Sequence, residues 1–220
     1  MCSSDLLHFP NVTLVGIIYA DLALHQPDFR AGERTFQLLT QVAGRAGRGD
    51  VEGEVFVQAF APFHPAIQFA RRHDFTGFYE QELEFREQLK YPPVSRVALL
   101  TLKGRNEEKV KFSADHLKRE LEKNLVTGGA SVLASRAGKA EDGSSGASPH
   151  QNVKADFKDL IVSGPAPAPL PRAETFYRYQ IMLRTRAMSK LSQTLAKIVG
   201  SLTLPDDVTL TVDIDPVNLG

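Results

Sequence analysis

The sequence contains a single cysteine, Cys2, among 220 residues, and its formal net charge is zero. One thiol by itself completes neither an internal disulfide nor a zinc site, so no metal site and no redox chemistry are expected. No apolar run reaches the roughly 18 residues of a membrane span, and the first residues lack the basic and then apolar order of a signal peptide. The sequence therefore predicts a cytoplasmic protein without membrane contact.

The balance of charge also bears on nucleic-acid binding, which has to be argued from local patches when the total is zero. Between residues 175 and 204 the chain has basic side chains and no acidic one. They are Arg178, Arg184, Arg186, Lys190 and Lys197. We interpret the first four as candidate ligands of phosphate or of a protein partner, with an affinity that falls steeply with salt. The alternative is a solvated surface without a partner.

A glycine-rich phosphate loop with its lysine, and the acidic motif that follows it in complete nucleotide sites, are both lacking from the sequence. The chain does contain the string Gln41-Val42-Ala43-Gly44-Arg45-Ala46-Gly47-Arg48-Gly49. A guanidinium is a permanent planar cation, so Arg45 and Arg48 suit the charge on a transferring phosphoryl group. Arg48 is a candidate arginine finger in one half of a bipartite nucleotide site. The alternative is a basic turn that pairs with surface carboxylates.

The first half of the chain alternates strand and helix signals. Residues 12–20 form a nearly continuous apolar run rich in β-branched side chains, which predicts a strand buried on both faces of a parallel sheet. Asp21 follows at the carboxyl end of this strand, where open α/β sheets bind ligands; an ordinary cap is the equal alternative. Helices are predicted at 30–42, 65–73 and 75–89, and a strand at 54–60. This order favours one lobe of an α/β nucleotide motor.

The helix predicted at 75–89 has four aromatic side chains, Phe75, Phe78, Tyr79 and Phe85. Exposed aromatic rings can serve as stacking platforms for bases. Because the spacing is helical, we expect these rings to pack in a core instead.

The second half begins at Tyr91-Pro92-Pro93, where two prolines end the helix and predict a domain boundary. Residues 127–156 are dominated by glycine, serine, alanine and lysine and are predicted to be disordered. The alternating prolines of 164–169 predict an extended connector. Strands are predicted at 94–102, 160–163, 176–183 and 208–214, and helices at 107–125 and 188–202. The resulting order β-α-β-β-α-β is the ferredoxin-like order.

Several of these strings together resemble one known family. They are Phe9-Pro10-Asn11-Val12-Thr13-Leu14-Val15-Gly16, Ala20-Asp21-Leu22-Ala23-Leu24-His25, Pro27-Asp28-Phe29-Arg30, Glu33-Arg34, Gln37 to Gly49, Phe78-Tyr79-Glu80-Gln81-Glu82-Leu83, Tyr91-Pro92-Pro93, Gly164-Pro165-Ala166-Pro167-Ala168-Pro169 and Asp213-Ile214-Asp215-Pro216-Val217-Asn218. In this order they resemble the second helicase lobe and terminal domain of the primosomal replication-restart helicases, also called primosomal protein N-prime. The resemblance runs from about residue 8 to residue 220, with the low-complexity segment as its main gap.

This resemblance implies a bacterial superfamily-two DNA helicase that moves 3′ to 5′, hydrolyses ATP with magnesium and reloads the replication machinery at stalled forks. Gln41, Arg45 and Arg48 would act on the γ-phosphate, with Gly44 and Gly47 in the same motif. Asp21 would belong to the preceding motif, which couples the nucleotide to the DNA strand. The implied partners are single-stranded or forked DNA, the tail of single-strand-binding protein and other primosome proteins. Zinc would bind in an upstream segment that this sequence does not contain.

The expected organisation follows from the same comparison. Residues 8–90 are expected to be a partial RecA-like second helicase lobe, and residues 91–220 a ferredoxin-like domain with the disordered insertion. Residues 1–7 are expected to be a non-native start, because Cys2 to Leu6 reads like a translated sequencing adapter in an assembly-truncated gene. The chain alone is predicted to be inactive as an ATPase. The competing hypothesis is a non-catalytic module that binds nucleic acid or single-strand-binding protein.

Overall fold

The structure is a computed structural model that describes residues 12–46, 52–127 and 155–219. Contacts divide the chain into two compact units, residues 1–89 with 218–220 and residues 90–217. Within the described ranges, no helix has the length and apolar character needed to cross a membrane.

The first unit combines a short parallel sheet with helices. Its elements are β1 (Leu14–Ile17), a 3-10 helix (Leu22–His25), α1 (Ala31–Ala43), β2 (Glu54–Val57), α2 (Pro65–Arg71) and α3 (Phe75–Leu89). Strands β1 and β2 pair in parallel from Leu14 opposite Glu54 to Ile17 opposite Val57. Parallel neighbours require a crossover, and α1 lies within this one.

Strand β1 differs from its prediction in length and in burial. The strand covers four residues, and Leu14 and the following Ile18 are 61% and 80% exposed. Ile17 contacts the apolar cluster of the helices, whereas Phe56, which pairs with Gly16 on the other face, is 62% exposed. The prediction of burial on both faces is wrong for this chain, because the described residues cover only one face of the sheet.

The core of the first unit is built around an aromatic contact between α1 and α3. The rings of Phe36 and Phe78 are stacked with centroids 4.3 Å apart, and Phe69 meets Phe78 edge-on. Phe78 is buried, but Phe75, Tyr79 and Phe85 are at least half exposed. The prediction of core packing is therefore confirmed for Phe78 and wrong for the other three rings.

The second unit is a mixed α/β fold on a four-stranded antiparallel sheet. Its elements are β3 (Arg96–Gly104), α4 (Glu107–Asn124), β4 (Leu125–Thr127), β5 (Ala155–Phe157), β6 (Ile161–Ala173), β7 (Phe176–Thr185), α5 (Met188–Ser201) and β8 (Val208–Ile214). The sheet order is β6-β7-β3-β8, and β4 and β5 form a separate parallel pair. Most of the segment predicted to be disordered, residues 128–154, lies outside the described residues.

Strand β6 contains the segment that the sequence assigned to a connector. Residues 164–169 lie inside this strand, and the pairing with β7 shifts register between Ser163 and Ala166 and again between Pro167 and Arg172. The segment is extended, as predicted, but its assignment to a connector is wrong, because an edge strand tolerates proline wherever the missing N–H would have pointed away from its neighbour.

The core of the second unit lies between α4, α5 and one face of the sheet. As their spacing predicts, Val110, Ala114, Leu117 and Leu121 of α4 are fully buried. They belong to one cluster with Leu100, Leu102, Ile181 and Leu183 of the sheet and Leu191, Leu195 and Ile198 of α5. The Oδ1 atom of Asn106 caps α4 by accepting the N–H of Lys109 at 3.0 Å.

Candidate functional site

Helix α1 carries part of the predicted nucleotide motif at its carboxyl end. The helix ends at Gly44, whose N–H donates to Thr40 at 3.1 Å, and the N–H of Arg45 donates to Val42 at 3.0 Å. Gln41 lies in the last turn of the helix, and Arg45 follows the residue at which the helix ends, so the turn brings both residues to this end of α1. Gly47 and Arg48 lie outside the described residues.

Gly44 has no structural requirement for glycine within the described residues. Its φ of −67° is open to any residue, and an added Cβ would meet its nearest atom, the carbonyl oxygen of Thr40, at an ordinary 3.6 Å. Glycine in a helix end that does not need it costs backbone entropy. Its presence beside Arg45 is consistent with close approach of a ligand to the backbone.

Ion pairs fix the start of α1. Arg86 of α3 donates to Glu33 of α1 at 2.8 Å and to Glu82 at 2.9 Å, and its side chain is only 12% exposed. On the same helix Arg34 lies 3.0 Å from the buried carboxylate of Asp28. Because a helix is stiff, contacts at its first turns set the position of Gln41 and Arg45 at its end.

Arg34 also contacts the far end of the chain, since its Nη2 donates to Oδ1 of Asn218 at 2.7 Å. Asn218 belongs to the first compact unit although 128 residues of the second unit, Lys90 to Val217, lie between them in sequence. The amino-acid pattern gives no sign of this contact.

Asp21 is fully buried and bound to backbone. Its Oδ2 accepts the N–H of Ala61 at 2.7 Å, which ties the loop after β2 to the end of β1. Burial raises the pKa of this carboxyl. The N–H groups of Ala61, Asp21 and Phe60 and the charge of His25 together lower the pKa by more than burial raises it, so it lies below its usual value. Asp21 precedes the 3-10 helix, but its side chain makes no capping hydrogen bond to that helix. A nucleotide role for Asp21 stays a prediction.

The described residues near this turn fit a phosphate better than a metal ion. The amide of Gln41 and the guanidinium of Arg45 offer hydrogen-bond donors to phosphate oxygens. Magnesium prefers carboxylate oxygens, and one oxygen of the Asp21 carboxylate, Oδ2, already accepts a backbone N–H. Among residues 12–46, 52–127 and 155–219, no three acidic, histidine or cysteine side chains lie close enough together to hold a metal ion.

An apolar hollow of about 550 Å³ lies beside the same turn, between α1, β2 and α2. Leu39, Ala46, Val55 and Ile67 line it, and Arg71 lies among the polar residues of the lining. Gln68, Arg71 and His73 also line the hollow and offer hydrogen-bond donors.

Three of the four predicted cations of the second unit have a side-chain partner within the chain, and Arg186 is held through its backbone. Arg178 donates from Nε and Nη2 to the carbonyl oxygen of Leu170, at 3.0 and 2.8 Å. Arg184 lies 4.6 Å from the ring centroid of Tyr91. The ammonium of Lys190 lies 4.9 Å from the ring centroid of Phe157, and the backbone N–H of Arg186 donates to Asp159 at 2.8 Å.

These cations also do not form one patch. Arg178 and Arg184 lie on β7, where six residues span about 20 Å. Arg186 and Lys190 lie beyond the end of that strand, next to and within α5. Their binding to phosphate or to a partner remains a prediction.

A different set of basic and aromatic side chains lies at the β6–β7 hairpin, on both faces of the sheet, and the sequence patterns did not single it out. Lys103 and Arg105 lie 4.2 and 5.6 Å from the ring centroid of Phe176, and Arg172 lies 5.3 Å from that of Tyr177. We call Lys103, Arg105, Arg172, Phe176 and Tyr177 the hairpin-end cluster. The three cations are exposed. Cations interleaved with aromatic rings are the usual surface for single-stranded nucleic acid.

The strand register adds a fourth cation beside this cluster. Lys103 of β3 is directly opposite Arg178 of β7. Like charges in directly opposite positions destabilise a sheet, and a bound anion would relieve the repulsion. Lys103 lies far outside the acid-free stretch in sequence, so only the pairing of strands brings the two together.

Comparison with known proteins gives a consistent result. The model of the family described as Primosomal protein N C-terminal domain matches residues 87–217. The chain is 37% identical over 193 residues to a protein from Bacillus subtilis (strain 168) named Replication restart protein PriA. Proteins of the same name from Synechocystis sp. and Rickettsia typhi are 35% and 34% identical over 213 and 209 residues.

These alignments cover nearly all of this chain but only part of each relative. They span 88%, 97% and 95% of the chain and 20%, 22% and 27% of the three relatives. The chain therefore corresponds to about a quarter of the length of these relatives or less.

Proposed function

The chain belongs to the primosomal protein N C-terminal domain family, and from this membership we propose that it acts in the restart of DNA replication as the carboxyl-terminal part of an ATP-dependent 3′ to 5′ DNA helicase. One observation carries the nucleotide part of the proposal. Helix α1 is fixed at its start by ion pairs, and Gln41 and Arg45 lie at its carboxyl end, on either side of Gly44 in the sequence. That arrangement suits a phosphate bound by another segment of the parent protein.

In this proposal the residues of α1 complete the nucleotide site of the parent. Gln41 orients the γ-phosphate or the attacking water, and Arg45 and Arg48 stabilise the charge that develops on the phosphoryl group. Bound ATP with magnesium supplies the phosphoryl transfer, while the phosphate loop and the metal ligands come from the other lobe. Gly44 and Gly47 keep the turn free of side chains.

The two folds are part of the same proposal. The β1-α1-β2 crossover with its parallel pairing supports a RecA-like second lobe. The second unit has the element order β-α-β-β-α-β once the short β4–β5 pair is set aside, and its sheet is antiparallel throughout. This supports the ferredoxin-like assignment.

The hairpin-end cluster is the proposed contact with DNA. Its exposed cations would bind backbone phosphates, and Phe176 and Tyr177 offer ring surface for bases. The acidic tail of single-strand-binding protein would compete for the same cations. Single-stranded or forked DNA is therefore the first ligand to test, and the acidic tail is the second.

The nucleotide part is tested by Arg48→Ala in the full-length parent. We expect ATP turnover to fall by about 10³-fold or more, while binding of a fluorescent ATP analogue changes little, because a finger arginine acts on the transition state. Arg72→Ala, which removes an exposed arginine near the end of α2, is the matched control and should leave turnover unchanged. Unchanged turnover in Arg48→Ala would overturn the assignment.

A non-catalytic binding module is the second candidate function. It is favoured by the hairpin-end cluster, which lies entirely within this chain. A module predicts that the chain alone supports a cellular restart assay as well as the parent does, and that Arg48→Ala has no effect there. Loss of function in both cases would exclude it.

A further inference from the structure

The two edges of the four-stranded sheet differ in what they offer to a partner. In the described part of the chain, β6 forms one edge and pairs only with β7, and β8 forms the other edge and pairs only with β3. Strand β6 contains Pro165, Pro167, Pro169 and Pro171, whereas β8 contains no proline. An edge without proline presents a row of backbone N–H and C=O groups on which another strand can pair.

One hydrogen bond shows which groups of β8 point outward. The N–H of Asp215 donates to the carbonyl oxygen of Val97 at 2.7 Å, in continuation of the pairing of Ile214 with Ala98. Because antiparallel residues alternate between facing the partner strand and facing away, 209, 211 and 213 bond to β3. Leu210, Val212 and Ile214 then direct their N–H and C=O groups away from the sheet.

The same alternation passes through the sheet to its other edge. Because alternate residues of each strand bond to opposite neighbours, the N–H and C=O groups of Leu100 face β7. Those of Gln180 face β6, where Gln180 pairs with Ala166. Pro167, the next residue, therefore occupies an outward position and provides no donor there. The β6 edge is closed to strand addition by its own sequence, and the β8 edge is open.

The side chains of the β8 edge define the chemistry of a partner. Val212 and Ile214 are each 36% exposed and lie on the face that α4 and α5 cover elsewhere. Asp213, on the opposite face, is exposed and forms no ion pair within the described ranges. Asp206, which precedes the strand, is also exposed and also forms no ion pair within the described ranges. An added strand would place apolar residues beside Val212 and Ile214 and its alternate residues beside Asp213.

We propose that the outer edge of β8 binds an extended segment of a partner protein in which apolar residues alternate with lysine or arginine. The segment pairs its backbone with the outward groups of Leu210, Val212 and Ile214, and its cations lie beside Asp213. A second copy of β8 is a poorer occupant, because it brings another acidic strand to an acidic edge. The proposal does not depend on the nucleotide motif.

The test uses the chain as it stands and a fluorescein-labelled peptide as long as β8 with alternating valine and lysine. We expect saturable binding by fluorescence anisotropy and slower amide hydrogen exchange at Leu210, Val212 and Ile214. Thr209, Thr211 and Asp213 should change less, because their amides already bond to β3. Absence of binding, or exchange at the three outward amides that stays fast with saturating peptide, overturns the proposal.

Two variants sharpen the result. Val212→Pro removes one outward N–H without touching the ladder to β3, and it should weaken peptide binding by about three- to tenfold, whereas Val212→Ala should change it less. Asp213→Asn should weaken binding at low salt, with Glu87→Gln on α3 as the charge-matched control. If Val212→Pro does not fold, the amide hydrogen exchange of the unmodified chain with and without peptide still tests the proposal. A second copy of the chain would be the occupant if the outward amides were protected without peptide and the molecular mass rose with concentration. That result would overturn the proposal of a partner segment.

Discussion

Lys103 and Arg178 lie directly opposite each other on neighbouring strands, and the ring of Phe176 lies 4.2 Å from the ammonium of Lys103. Arg178 is bound to the carbonyl oxygen of Leu170, so Lys103 is the cation of the pair that is placed to meet a ligand. This relationship sets the first prediction.

Lys103→Ala should weaken the binding of single-stranded DNA and reduce the slope of log affinity against log salt by about one, as expected for one phosphate contact. Phe176→Ala should weaken binding without changing the slope, because a stacked base carries no charge. Anisotropy titrations of a labelled oligonucleotide at several salt concentrations measure both effects. Lys197→Ala, at an exposed position of α5, is the control, and an equal loss there would argue for nonspecific attraction.

Gly44→Ala separates function from fold. The structure leaves room for the added methyl group, and alanine favours a helix end over glycine, so stability should stay equal or rise by up to about 1 kcal/mol. In the full-length parent, ATP turnover should nevertheless fall, because the methyl group would stand where a ligand approaches the backbone. Thermal unfolding of the chain and ATPase assays of the parent provide the two readouts. Normal turnover would show that Gly44 is not required for the ligand.

Gly104→Ala should destabilise the second unit by about 1–3 kcal/mol, since its Cβ would lie 2.7 Å from Cγ2 of Val110 and 3.0 Å from the carbonyl oxygen of Asp207. Gly200→Ala is the matched comparison, because nothing lies within 4 Å of its Cβ in α5. That change should be neutral or stabilising by up to about 1 kcal/mol. Urea unfolding of both variants checks the difference in sign.

Arg86→Met tests how α1 is fixed. The variant retains an unbranched apolar stem but leaves Glu33 and Glu82 without their cation, which should lower the free energy of unfolding of the first unit by about 1–3 kcal/mol. Arg72→Met, at an exposed position, should change it little. Equal unfolding midpoints for the two variants would show that the ion pairs contribute no net stability.

His64 gives the first unit a dependence on pH. Its Nδ1 accepts the N–H of Ala66 at 3.2 Å at the start of α2, and burial lowers its pKa from the usual 6.5, although Glu82 and Asp21 act in the opposite direction. Between the native pKa and 6.5 the unfolded chain binds more protons than the native one. The free energy of unfolding should therefore fall as the pH drops below about 6.5.

His64→Asn isolates this contribution. Asparagine keeps an acceptor for the N–H of Ala66 but does not titrate, so the decrease in stability below about pH 6.5 should become smaller. Denaturant unfolding across this range, with His116→Asn on α4 as the control, measures it. An unchanged pH profile would assign the effect to another group.

The helices of this chain can be predicted from sequence because the spacing of their apolar residues indicates which face packs in the core. The predicted face of α4, including Val110 and Leu117, is fully buried, and α3 and β8 have the predicted limits. The predicted burial of β1 is wrong because an apolar run indicates which side chains favour burial but does not indicate which segments pack against them.

The candidate sites divide in the same way. Gln41 and Arg45 are predicted from one short motif, whose residues are close in space because they are close in sequence. The pairing of Lys103 with Arg178 depends on the register of β3 and β7, whose residues lie far apart in sequence. The composition of a sequence window does not reveal such a contact. Three of the cations that the acid-free stretch singled out, Arg178, Arg184 and Lys190, already contact groups of the same chain.

The parallel pairing of β4 with β5 limits how far the segment between them can be shortened. Leu125 lies opposite Ala155 and Thr127 opposite Phe157, so a connection must return from the end of one strand to the beginning of the other. Over three residues that distance is about 10 Å, and a crossover between parallel strands takes roughly a dozen residues or more, which excludes a tight turn. The position is therefore suited to a replacement linker or a fluorescent label, whose length can vary while both strands keep their register.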